Sequence, residues 1–242
     1  MTGLGTIINT AAIIAGGTVG VLFKNAINEK IQESLNAACG VSTMFLGISG
    51  AMQGMLQIQG GALSAGNSML VVLSLALGAL IGEWIDLDSA FDRFGEWLKI
   101  KTRNTKDAQF VDGFVTASLT VCIGAMAILG SIQDGLTGDY STLAVKAVLD
   151  FIIVAVMSCS MGKGCAFSAI PVFLWERSIT LLASLLGPFM TDSAMANLSL
   201  VGSVLIFCVG LNLLFGKKVR VANFLPAVFL AALVAFIPGL QG

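Results

Sequence analysis

The chain has 242 residues, of which 56% are hydrophobic and 11% charged, with a net charge of −1 and a mean hydropathy of +0.92. Soluble domains carry about 25% charged residues, so this balance excludes a soluble globular domain and, with no basic stripe present, a nucleic-acid-binding surface. Histidine is absent and the five cysteines (Cys39, Cys122, Cys159, Cys165, Cys208) form no CxxC pair, which excludes a disulfide framework and a zinc site and leaves any proton relay to carboxylates.

A bilayer-crossing helix needs about 20 apolar residues. On that measure the chain predicts eight spans: Gly3–Leu22, Leu35–Met55, Met69–Trp84, Phe110–Gly130, Thr142–Met161, Gly164–Leu185, Leu198–Phe215 and Phe224–Gly239. The first lacks the basic region and cleavage site of a signal peptide and reads as a retained span. The third and the last are short for about 30 Å of hydrocarbon, and Pro226 and Pro238 bracket the last. Two polar stretches between spans predict interfacial helices, Asn25–Ser34 and Leu87–Thr102. The second places Leu87, Phe91, Phe94, Trp97 and Leu98 at helical spacings, either dipped into the headgroups or packed on the protein's own loops. The expected fold class is an all-α polytopic membrane helix bundle, a single transmembrane domain over residues 1–242.

Loop charges orient the spans. Of the 13 basic residues, 11 fall in the loops after spans one, three, five and seven, and only Lys146 and Arg177 lie elsewhere. The positive-inside rule then places both termini outside the cytoplasm. Spans two and seven share a glycine-rich apolar pattern (LNAACGVSTMFLGI and LSLVGSVLIFCVGL) and run in opposite directions. Residues 1–84 and 164–242 therefore read as an inverted repeat around spans four and five, a common transporter plan. Gly16/Gly20, Gly50/Gly54 and Gly78/Gly82 are GxxxG pairs that permit close helix approach and admit a homodimer.

The charges inside the spans are the candidate site. Asp150 lies near the middle of span five, where an ionisable group costs about 2.5–3.5 kcal/mol on insertion scales and by default marks function. Lys146 sits four residues earlier on the same helix face and pairs with it, or snorkels outward. Glu176 and Arg177 point about 100° apart on span six, with Arg177 facing Asp150 and Glu176 facing a cavity. Asn9, between Thr6 and Thr10, is either glue between helices or part of the path, and Asn212 and Asn223 read as glue. Gln133 and Asp134 lie between Gly130 and Gly135, either a helix break that exposes ligands for an ion or an outer turn. Glu83 and Trp84 read as an interfacial anchor or the mouth of a cavity.

Seven stretches carry a family resemblance: GTIINTAAIIAGG (Gly5–Gly17), GEWIDL (Gly82–Leu87), GAMAILGSIQDGLTGDYS (Gly124–Ser141), KAVLDF (Lys146–Phe151), SAIPVFL (Ser168–Leu174), GLNLL (Gly210–Leu214) and VANFLPA (Val221–Ala227). Over nearly the whole chain they resemble the bacterial "domain of unknown function 554" membrane proteins. That resemblance implies a multi-pass protein of the bacterial cytoplasmic (inner) membrane with a transporter role and no named substrate. After SAIPVFL the family pattern continues with uncharged residues, so Glu176 and Arg177 read as an ion pair special to this chain.

The function expected from these residues is ion-coupled secondary transport of a small polar or charged solute, driven by protons or sodium. Asp150 and Lys146 form the coupling site, and Glu176, Arg177, Asn9, Gln133 and Asp134 line the path. A passive channel and a non-transporting membrane scaffold or sensor are the alternatives. No nucleophile–base pair or metal set is visible, so no enzyme activity, catalytic residue or cofactor is expected, and the expected partners are the solute or ion and the membrane lipids.

Overall fold

In hydrocarbon every backbone N–H and C=O must be satisfied within the protein, which leaves apolar segments the helix as their local structure. The computed structural model describes residues 2–24, 28–59, 62–122, 125–186 and 191–236. In order these form α1 (Leu4–Lys24), α2 (Glu29–Met55), an antiparallel hairpin (β1, Leu56–Gln59; β2, Ala62–Ala65), α3 (Ser68–Ile85), α4 (Leu87–Lys101), α5 (Phe110–Cys122), α6 (Ala125–Thr137) and α7 (Ser141–Met161). A 3-10 helix over Lys163–Ser168 leads to α8 (Ala169–Leu181), α9 (Ala183–Leu186) and α10 (Asp192–Phe215), and a second over Val221–Phe224 leads to α11 (Leu225–Val234). The protein is an all-α polytopic membrane helix bundle.

The expected count of eight spans is not reproduced. Among the described residues five helices are long and apolar enough to cross a bilayer: α1, Glu33–Met55 of α2, α3, α7 and α10. A sixth is added when α5 and α6, whose axes meet at 61°, are taken as one span. Expected segment six is divided, because Gly162 adopts φ +91° and the chain enters α8 through a 3-10 turn. The 13 residues of α8 reach about 20 Å at 1.5 Å per residue, too little to cross alone. Segment eight is the ten-residue α11, opened by proline in its first turn, and its expected end at residues 237–239 lies outside the described residues. The surface helix expected over Asn25–Ser34 does not stand apart. Residues 25–27 lie outside the described set, and from Glu29 the helix runs unbroken into α2, capped by the Asn28 side chain, which accepts from the Ile31 N–H at 2.9 Å.

The amphipathic stretch is helical as its spacing requires, and it packs on the protein. Leu98 is buried, Phe94 stacks on Trp97 at 5.7 Å, and Phe94 meets Phe114 of α5 edge-on at 5.7 Å. Trp97 and Ile100 stay exposed on the far side.

Small residues set the helix pairs. Gly16 and Gly20 bring α1 onto α7: an added methyl would lie 2.4 Å from the Phe151 carbonyl oxygen and 2.1 Å from that of Ala155. Gly47 and Gly54 of α2 meet α10 in the same way, and Gly78 and Gly82 bring α3 against α11 and the turn before it. Two helix groups result, α1 with α5 to α8 and α2 with α3, α10 and α11, meeting where α2 touches α7 and α10 touches α5 and α6. The tightest of these glycines is Gly82, where a methyl would sit 1.8 Å from the Asn223 carbonyl oxygen. Gly82→Ala is expected to force α3 away at a cost of about 1–3 kcal/mol, the range for overpacking. The readout is the denaturant midpoint of the detergent-solubilised protein.

Candidate functional site

Both α1 and α7 place their sixth residue, Asn9 and Lys146, on the inward face, and both side chains are buried. Asp150 follows Lys146 by one turn, at the centre of the 21-residue α7. The expected pairing is present: the Lys146 ammonium donates to Asp150 Oδ2. It also donates to the Val121 carbonyl at 2.8 Å and lies 3.8 Å from Glu176 Oε1. Lys146 therefore does not snorkel to the headgroups. It is held between two buried carboxylates, one on its own helix and one on α8.

Val121 is available for a physical reason. It stands in the last turn of α5, where carbonyls lack a partner in their own helix, just before the chain swings by 61° into α6. Neither the helix break nor the outer turn expected over Gly130–Gly135 forms there: α6 runs through both glycines to Thr137, and the bend lies earlier, between α5 and α6. Nothing in the chain before Cys122 marks that carbonyl as a ligand, so sequence reasoning missed it.

Glu176 has no exposed surface, and its Oε1 accepts from Asn9 Nδ2 at 2.7 Å. It therefore joins the charge cluster rather than facing an open cavity. Since α8 ends at Leu181, five residues on, Glu176 lies about 7.5 Å from the helix end at 1.5 Å per residue. Arg177 does not meet Asp150. Its guanidinium turns to the start of α1, against Gly3 and 3.5 Å from the Thr2 carbonyl oxygen, because the short α8 brings that helix end within its reach. Adjacent positions on a helix point about 100° apart, so one residue faces inward and the other outward.

Asp134 has a structural role. It is fully buried on α6, and its two carboxylate oxygens accept from the Gly3 and Gly5 N–H groups at 3.0 Å each, capping the start of α1, where the helix dipole favours negative charge. Gln133 accepts from the Thr142 hydroxyl at 2.7 Å and ties α6 to α7. The hydrogen bonds of these two residues run to the start of α1 and to Thr142 rather than to the Lys146 cluster. Asn223 accepts from the Asp88 N–H at 2.7 Å, and Asn212 holds Lys218 and Val219 in the loop after α10. Glu83 is exposed and pairs with Arg220 at 2.8 Å.

A cavity of about 560 Å³ opens beside the cluster, between the two helix groups, and both Lys146 and Asp150 line it. Ser42, Thr43, Thr120, Ser199 and Ser203 add hydroxyls to its otherwise apolar wall. Its size falls in the range of about 300–1,000 Å³ typical of small-molecule sites. Among the described residues no group of three or more His, Cys, Asp or Glu side chains is placed to hold a metal ion.

At the opposite end of the bundle Lys217 bridges Asp88 at 2.6 Å and Asp92 at 3.0 Å. Partial burial disfavours its charged form, but the hydrogen bonds and charges of Asp88 and Asp92 outweigh that and raise its pKa above the ordinary 10.5. A raised value means the bridge contributes fully below pH 10.5 and is lost as pH climbs through the folded value. The stability difference between wild type and Lys217→Met is expected to hold up to about pH 10.5 and to shrink above it, as read from denaturant midpoints across pH.

Comparison with known proteins matches residues 4–236 to the family model described as "Protein of unknown function (DUF554)". The chain is 33% identical to the "Uncharacterized membrane protein YdfK" of Bacillus subtilis (strain 168), over 96% of each chain. It is 30% identical to the "Uncharacterized protein YqgA" of Escherichia coli (strain K12), over 94% of each. No solved structure matches it.

Proposed function

The chain belongs to the DUF554 family of proteins, and from that premise and the geometry above we propose that it is an ion-coupled secondary transporter of a small polar or charged solute. One observation carries the reading. A lysine ammonium is shared between two buried carboxylates, Asp150 and Glu176, at the wall of a 560 Å³ cavity between two helix groups. Charges this deep are costly, and in membrane proteins they mark ion and substrate paths.

The arrangement supports coupling because Lys146 has two anionic partners and one charge. Neutralising either carboxylate shifts the ammonium toward the other, so events at the cavity and at Glu176 bias each other, and such linkage is reciprocal. The hydroxyls of α2 and α10 offer hydrogen bonds to a polar solute at the same wall. The loop charges support placement in the bacterial inner membrane with both termini outside the cytoplasm. The glycine-mediated packing of α2 on α10 and of α3 on α11 supports an inverted repeat of residues 1–84 and 164–242.

The test is charge movement in proteoliposomes of the full-length protein, across a panel of inorganic ions, amino acids and organic acids. The expected result is a current that saturates with one class of solute. Flux that rises without saturation means a passive channel, and no current from folded protein means a scaffold or sensor.

A further inference from the structure

Lys146 neutralises only one of the two carboxylates it touches. Asp134, the other buried acid nearby, is compensated separately by the start of α1. With both carboxylates ionised, Asp150, Glu176 and Lys146 carry a net charge of −1 in a region of low dielectric, where an unbalanced charge is expensive. Around Glu176 and the face of α1 that carries Asn9 lie oxygens with nothing to bind. Glu176 Oε2, Asn9 Oδ1 and Thr6 Oγ1 are each buried without a hydrogen-bond partner among the described residues, and their residues have no exposed surface. Asn9 touches Glu176 at 2.7 Å. Thr6 precedes Asn9 by three residues, so it lies within about 60° of it around α1 and one turn away.

We propose that Glu176, Asn9 and Thr6 form a binding site for one monovalent alkali cation, behind the Lys146–Asp150 pair that lines the solute cavity. The donor set is a carboxylate, an amide carbonyl and a hydroxyl, all hard oxygen ligands of the kind that hold hard cations. The charge count selects the valence: one monovalent ion brings the cluster to neutrality, whereas a divalent ion leaves a buried positive charge. A site of this kind explains three buried acceptors on one helix contact, since a single cation satisfies all of them together. The inference rests on the transport reading only for its role, with the cation as the coupling ion. A cation at Glu176 cancels the pull of that carboxylate on Lys146 and leaves the ammonium to Asp150 and the cavity.

The experiment is a titration of the purified protein in detergent with sodium chloride, choline chloride holding ionic strength constant, followed by the thermal unfolding midpoint. Lithium and potassium are run in parallel to read size selectivity. The expected result is a saturable rise in the midpoint with at least one alkali ion, absent with choline. The response disappears in Glu176→Gln and needs at least tenfold more cation in Thr6→Val. Thr6→Val removes one hydroxyl at nearly constant volume, so it carries the test if Glu176→Gln does not fold. No saturable response in wild type, or the same response in both folded variants, overturns the site. The two readings fail separately. No saturable rise in the midpoint, together with solute current that is unchanged when choline replaces every alkali ion, removes the site and keeps the transporter. Cation binding with no solute current under a sodium gradient keeps the site and removes the transporter.

Discussion

Replacing Lys146 with methionine is expected to lower stability by about 3–5 kcal/mol, the range for removing one partner of a buried charge pair. The cost comes from what remains. Asp150 loses the donor on its Oδ2, Glu176 loses the cation 3.8 Å away, and the Val121 carbonyl loses the ammonium that donates to it. Packing contributes little, since methionine matches most of the lysine stem. Lys146→Met combined with Asp150→Leu is expected to recover most of the loss, because replacing both members of a buried pair with apolar groups is often neutral. In the double variant Glu176 keeps its hydrogen bond from Asn9 and can take up a proton to become neutral. Unfolding in mixed detergent micelles measures all three proteins. A single-variant cost below about 1 kcal/mol, or a double variant no more stable than the single, contradicts an ammonium that holds two carboxylates in place.

How much of this was legible in the sequence depends on how local each interaction is. The pairing of Lys146 with Asp150 follows from a spacing of four on one helix and is present in the structure. Glu176 stood out because a carboxylate has no cheap place in an apolar segment. Its partner was obscured by Arg177 beside it, a neighbour that the helix turns the other way. The glycine pairs of α1, α2 and α3 announced close packing, and all three make it within the chain. Other features depend on where the chain bends. The 61° turn after α5 frees the Val121 carbonyl, and the short α8 puts Arg177 at the outer end. Asp134, in a glycine-rich polar stretch, had the look of an ion ligand, and only the tertiary fold shows the start of α1 seated on it. The hydroxyls of the cavity wall were hidden for a different reason. Ser203 and Thr120 also bond carbonyls four residues back in their own helices, as such residues do in any apolar helix, so their spacing does not separate a cavity wall from a lipid-facing surface.

Asp150→Asn is expected to reduce the saturable solute current at least tenfold while leaving the protein folded. The substitution keeps the shape and an oxygen for Lys146, and it removes one charge from the cavity wall. The ammonium still has the Val121 carbonyl at 2.8 Å and the Glu176 carboxylate at 3.8 Å, so it is not stranded, and the stability loss stays below that of Lys146→Met. Lys146 then has a single anionic partner and the cluster is neutral without a further cation. An ammonium with one partner no longer shifts between two, and the link between Glu176 and the cavity is cut. The current is measured in proteoliposomes under matched solute and ion gradients, with protein incorporation and helical content checked for both forms. Wild-type-like saturable current in Asp150→Asn removes this pair from the transport path. Residual solute flux that no longer depends on the ion gradient, by contrast, places the loss in the coupling, because the cavity and its hydroxyls remain while the shared charge is gone.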